Sequence, residues 1–270
     1  MTAGRIISTL FAALFAILVC GAAPAPKPSF SPQQLDRLVG RIAVYPDPLL
    51  TQVLAAASFS EDVPAAALWA DQHRGLSGQG LADAVWADHL HLAPSVQVLL
   101  PFPALLQGMA GDMKWTAELG GAMLAQQAEV LNAIRRQRRR AVEFGSLRTD
   151  EHAVVDASSS SITIMPRNPA YVFVPSYDPD VVFSAPVNGA SVAGAIRFDE
   201  PVNVGGFKPF GWNAKQWESL GSYFQRWGWG QAGIEWDAPS LVINGAAWRR
   251  TWDTRHDYVH PYPDLKEAAQ

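Results

Sequence analysis

Apolar positions in the first half of the chain recur with a helical period. Leu35, Leu38, Val39 and Ile42 are spaced by three and four residues, which places them on one face of a helix. Ser31 is a good N-cap, Pro32 fits the first helical position and Gln34 falls at the third, so SPQQ reads as a capping box. The YPDP string at 45–48 must interrupt this helix, because prolines remove donors and disfavour helical geometry in the residue before them. Asp47 is expected to cap a second helix with Leu50, Val53, Leu54 and Ala57 as its buried stripe. A break with acidic charge at 58–62 precedes a helix over 63–72, and shorter helices are predicted at 79–90, 94–100 and 103–111. Asp112 can cap a long run over 113–144, in which Leu119, Met123, Val130, Ile134 and Ala141 keep roughly helical spacing and Gly145 is the stop. Residues 31–145 therefore predict an all-helical domain of five or six helices.

The period changes after residue 152. Ile162 and Ile164 alternate around Thr163, Val172 and Val174 around Phe173, and PRNP between them is a natural reversal. A small β meander is expected over 152–183, then a linker at 184–206 rich in Gly, Pro, Ala and Asn. Residues 207–270 form an aromatic-rich, partly irregular segment with Trp212, Trp217, Trp227, Trp229, Trp236, Trp248 and Trp252. The fold class predicted is α+β, the helical domain preceding the strands.

The N-terminus changes the picture of where the protein works. Arg5 precedes an apolar run over 6–19, followed by Cys20, Gly21, Ala22 and Ala23. Fourteen residues fall short of the roughly 20 that span a bilayer, and small residues after them suit a signal peptidase. Residues 1–25 read as a signal peptide and 26–30 as a proline-rich spacer, so the expected location is periplasmic or secreted. Anchoring through a lipidated Cys20 or an uncleaved signal are the alternatives, Val19 standing where lipoprotein signals carry a small residue.

Composition removes several classes of function. With 21 basic and 25 acidic residues the formal charge is −4, so no global basic field exists to hold nucleic acid. The single cysteine, Cys20, provides neither an internal disulfide nor a thiolate metal cage. No HExxH, G-x-S-x-G or phosphate-cradling glycine loop is present, and no cofactor is expected. Glu61 with Asp62, Glu118, and Asp199 with Glu200 are the acidic groups that a glycan hydrolase could use, with helix capping and solvated charge as the structural reading. Asp253, His256, Asp257 and His260 would gather on one side of a helix at four-residue spacing and could take a divalent metal, although Pro261-Tyr262-Pro263 follows at once.

Two further groups are candidates for an interaction surface. Arg135, Arg136, Arg138, Arg139 and Arg140 lie near a helix C-terminus, where the macrodipole favours cations; the functional reading is contact with anionic lipid or lipopolysaccharide phosphates. Tyr45 and Asp47, and Tyr177 and Asp178, sit in proline-framed turns that either pack on the body or present tyrosines for recognition.

The strings YPDPLLTQVLAAAS at 45–58, PSVQVLLPFP at 94–103, KWTAELGGAMLAQQAEVLNAIRRQRRRA at 114–141, and ITIMPRNP with VFVPSYDP at 162–179 resemble the bacterial family called domain of unknown function 3300. The resemblance implies an exported envelope protein with a helical domain and a strand-bearing segment, and implies no activity, catalytic residue or cofactor. The functional expectation is a nonenzymatic protein binding an envelope protein or surface polymer. The alternative is an envelope glycan hydrolase or other cell-wall polymer-processing enzyme with an acidic pair.

Overall fold

The computed structural model describes residues 26–158, 161–168, 170–186, 192, 194–204 and 232–262. The expected signal peptide with Cys20, and Trp212, Trp217, Trp227 and Trp229, lie outside the described residues.

Helix α1 (Pro32–Val39) starts at the predicted capping box: the Gln34 amide donates to Ser31 Oγ at 3.3 Å and the Ser31 amide to Gln34 Oε1 at 2.7 Å. After the YPDP break comes α2 (Asp47–Ala57), then a 3₁₀ turn (Ser60–Asp62), α3 (Val63–Gln72), α4 (Gly78–Ala87), the single turn α5 (Pro94–Gln97), α6 (Pro103–Gly111) and α7 (Met113–Glu143). Asp47 is the first residue of α2 rather than its cap; Pro46 holds the cap position and the Asp47 carboxylate makes no capping bond. Asp112 does cap α7, accepting the Trp115 amide at 3.1 Å, and Gly145 follows the helix at φ +78°, a backbone region that glycine enters without strain.

Helix α2 is the axis of the molecule. Every residue from Ile42 to Phe59 is buried, and α2 packs against α7 and α5. The approach of α7 is close: a β-carbon on Gly120 would lie 2.0 Å from the Ala57 carbonyl oxygen. Helix α7 is kinked at Gln126 (φ −145°, ψ 46°). There the Phe30 amide donates to Gln126 Oε1 at 2.7 Å, and the nearby Leu124 carbonyl accepts the Trp252 amide at 2.8 Å. The kink thus sits where backbone amides of distant chain bond the Gln126 side chain and a helix carbonyl.

Strands β1 (Ala153–Asp156) and β2 (Thr163–Pro166) form an antiparallel hairpin. Next come β3 (Tyr171–Val172), β4 (Pro175–Tyr177), the one-turn α8 (Pro179–Val182), β5 (Ile196–Phe198) and β6 (Val202–Asn203). Strand β3 pairs with β6 and β4 with β5. The register shifts by one residue between the two pairs, so they make one antiparallel ribbon interrupted by a bulge at 199–201. Its return strands arise within the span expected as a linker. Strands β7 (Gly233–Glu235), β8 (Ser240–Ile243) and β9 (Ala246–Ala247) form a third antiparallel sheet. Asn244 and Gly245, both at positive φ, turn β8 into β9.

The fold is α+β, with helices mainly in the N-terminal part and small antiparallel sheets after them. Its main core does not stop at residue 145: Val172, Val204, Trp236, Leu241, Ile243, Trp248 and Tyr262 belong to the same cluster as the helical residues. The C-terminal chain crosses α2, the Tyr262 hydroxyl donating to Gln52 Oε1 at 3.0 Å and Arg250 donating to the Ser58 carbonyl. A second, smaller core under the β1–β2 hairpin joins Val44, Ala141, Leu147, Ala153, Ile162, Ile164 and Val182. Among the described residues no helix is long and apolar enough to cross a membrane.

Candidate functional site

The YPDP turn and the arginine cluster meet inside the protein. Arg138, fully buried, pairs through Nη1 with Asp47 Oδ1 at 2.5 Å and donates to the carbonyls of Ala43 (2.7 Å), Tyr45 (2.8 Å) and Ile162 (2.8 Å). Asp47 also accepts the Trp236 indole N–H and the Ile164 amide, each at 3.4 Å. Burial raises the proton affinity of the Asp47 carboxyl and the guanidinium opposes that shift. The group joins α2, α7, β2 and the residue that follows β7 and is closed to solvent, so it fastens the fold and leaves no room for a substrate.

This placement corrects the expected interaction surface. Tyr45, Asp47 and Arg138 are buried, because three turn carbonyls and one carboxylate are satisfied by the single planar guanidinium. Burial and then the Asp199 charge push the Tyr45 phenol up to about 12. Tyr177 is half-buried, its hydroxyl donating to the Gly40 carbonyl at 2.8 Å; burial holds this phenol well above its ordinary value. Asp178 is exposed and caps α8 through the Asp180 amide at 2.9 Å. Arg136 binds Asp36 Oδ1 at 2.6 Å, Arg140 lies 3.9 Å from the same carboxylate, and Arg135 donates to the Trp236 carbonyl at 2.5 Å. Arg139 is exposed.

The other candidates are dispersed. Residues 252–257 are turn and bend, so Asp253, His256, Asp257 and His260 do not share a helical face. Among the described residues no group of three or more His, Cys, Asp or Glu is arranged to hold a metal. Asp62 accepts the Ala93 amide at 2.6 Å, Glu118 lies 4.0 Å from Lys114 on α7, and Asp199 and Glu200 are exposed in the ribbon bulge.

What the structure does assemble is a cleft of about 640 Å³ between the end of α7, the β1–β2 hairpin and β5. Val44, Pro46, Leu147 and Ile164 supply its apolar surface, while Arg148, Asp150, Glu151, His152 and Arg197 supply its polar groups. The His152 ring stacks on Phe198 at 4.3 Å and meets the edge of Phe173 at 4.8 Å. Asp150 Oδ1 accepts the amides of His152 (2.8 Å) and Ala153 (2.9 Å), which fixes the loop that carries the imidazole. A smaller cleft of about 410 Å³ lies between Phe59, Glu61, His91, Arg250, His256 and Tyr258. The larger cleft combines apolar surface with charged groups of both signs, an arrangement suited to binding. Sequence reasoning missed His152, Arg197 and Phe198; the alternating Ile-Arg-Phe between Gly194 and Pro201 was the available signal.

Comparison with known proteins gives a family and no activity. The chain is 29% identical over 200 residues to the uncharacterised protein YacH of Escherichia coli (strain K12), a match covering 61% of this chain and 31% of the relative. The chain thus corresponds to about a third of that relative's length. No solved structure matches. The family model "Protein of unknown function (DUF3300)" matches residues 31–260, nearly the whole described fold, and the chain belongs to that family.

Proposed function

We propose that this is an exported, nonenzymatic binding protein of the bacterial cell envelope, which holds a partner protein or surface polymer in the cleft beside the YPDP turn. The observation that carries the reading is the 640 Å³ cleft itself, whose apolar surface is flanked by Arg148, Glu151 and Arg197, side chains without an ion-pair or hydrogen-bond partner among the described residues. Export rests on the apolar run at 6–19 and the small residues after it. The lipid-phosphate reading of the arginine cluster loses its support, since Arg135, Arg136 and Arg138 are engaged with the protein's own groups. The hydrolase reading is not favoured either: the nominated acids are scattered, and Asp47 is held by Arg138.

The test is photocrosslinking in the native envelope, with the reactive group at Arg197 or Glu151 in the cleft and at Leu68, exposed on α3, as control. A defined adduct from the cleft positions alone supports the reading, and equal adducts from Leu68, or none from the cleft, overturn it. The envelope form should lack roughly the first 20–25 residues by mass. Release of soluble fragments from cell-wall glycan by the purified protein would restore the enzymatic alternative.

A further inference from the structure

The two strands that border the larger cleft present themselves differently. From β1 only Ala153 and Val155 line it, alternate residues that offer a strand face; from β5 the consecutive Ile196, Arg197 and Phe198 all line it, as happens when a strand offers its edge. The ladder explains this. The Asp199 amide donates to the Val174 carbonyl at 3.2 Å, in register with Ser176 opposite Arg197. By antiparallel alternation, the backbone groups of Ile196 and Phe198 then point away from β4. They have no hydrogen-bond partner among the described residues.

The opposing strand is capped instead. The Val155 amide donates to Thr149 Oγ1 at 2.9 Å, and that hydroxyl donates to the Val155 carbonyl at 3.1 Å. The Ala153 amide donates to Asp150 Oδ1, and the Ala153 carbonyl accepts the Asp150 amide at 3.0 Å. Proteins block strand edges in this way to prevent pairing with other chains. One edge at this cleft is closed by the protein's own loop, and the other, among the described residues, is open beside an apolar surface.

We propose that the cleft takes an extended segment of a partner protein as an added strand on β5, which deepens the binding reading above and rests on it. Main-chain bonds to Ile196 and Phe198 would set the register, and alternate apolar side chains would enter toward Leu147 and Ile164. Arg148 and Arg197, which have no ion-pair partner among the described residues, are placed to pair with carboxylates on such a segment. The occupant is therefore an acidic, alternating apolar peptide.

The probe is a fluorescent hexapeptide of alternating Glu and Val, titrated against the full chain, with two analogues N-methylated at the Glu amides or at the Val amides. Only one of the two frames points at β5, so methylation in that frame should weaken binding roughly tenfold or more while the other frame changes it little. A Lys-Val peptide should bind more weakly than Glu-Val at low salt. On the protein, Ile196→Pro removes an outward donor without touching the β4 ladder and should abolish binding, whereas Ile196→Val should retain it; the methylated peptides keep the test valid if the proline variant does not fold. Binding that neither methylation frame disturbs would overturn strand addition while leaving the binding reading intact. Failure of any peptide to bind, with a crosslinked partner still captured from Arg197, would overturn this inference alone.

Discussion

Asp47 and Arg138 lie 91 residues apart in sequence and 2.5 Å apart in the core, one at the start of α2 and the other near the end of α7. Their pairing makes the proline-framed turn and the arginine-rich helix end halves of one buried contact. Replacing Arg138 by Met should destabilise the protein by about 3–5 kcal/mol, since it strands a buried carboxylate and frees three carbonyls. The double variant Arg138→Met with Asp47→Leu should recover part of that loss. Urea unfolding of the three proteins measures it; a single variant no worse than the double would show the pair to be dispensable.

Arg138 also shows where sequence reading stopped. It lies four residues after Ile134 and three before Ala141, both buried, so periodicity alone places it on the inner face. Composition argues the opposite way, because arginine is seldom fully buried. The capping box at Ser31, the Asp112 cap and the switch to strands were legible because each depends on neighbours within a few residues. The Gln126 kink was not, since no proline or glycine marks it and the amide bonded there is that of Phe30, 96 positions earlier. Strand β5 was missed for a related reason: three residues carry too short a pattern to separate from a linker.

Glycine tolerance should differ sharply between two helices. Gly120→Ala drives a methyl into the Ala57 carbonyl, 2.0 Å away, and should cost about 3 kcal/mol or more as α2 and α7 separate. Gly108→Ala in α6 meets nothing within 4 Å and should stabilise by up to about 1 kcal/mol through helix propensity. Thermal melts of both variants distinguish packing from propensity.

Alkaline pH should loosen the fold through its tyrosines. Burial raises Tyr45 to about 12 and places Tyr177 and Tyr262 well above 10.0. Below pH 10 both folded and unfolded phenols are protonated; above it the unfolded chain releases protons that the native one retains, so stability falls as pH rises. Absorbance near 295 nm should therefore show Tyr45, Tyr177 and Tyr262 ionising late, together with unfolding. Smooth titration of all six tyrosines near their ordinary value, with the fold intact, would contradict this.

A chain ended at residue 150 should retain helix but lose fixed packing. It lacks Trp236, Leu241, Ile243, Trp248 and Tyr262, which close the main core over α2. Far-UV circular dichroism should stay helical, with weak near-UV signals and dye binding to exposed apolar surface. A cooperative melt equal to that of the full chain would show that the helices enclose α2 unaided.

The enclosure of α2 has a consequence for the order of events during synthesis. The helix that is buried on all sides leaves the ribosome early, yet Tyr262, the last described residue to cover it, follows Gln52 by 210 positions. Such long-range closure is intrinsically slow. Until nearly the whole polypeptide has emerged, residues 42–59 remain the segment most exposed to wrong contacts, and a nascent-chain chaperone would have its most persistent target there.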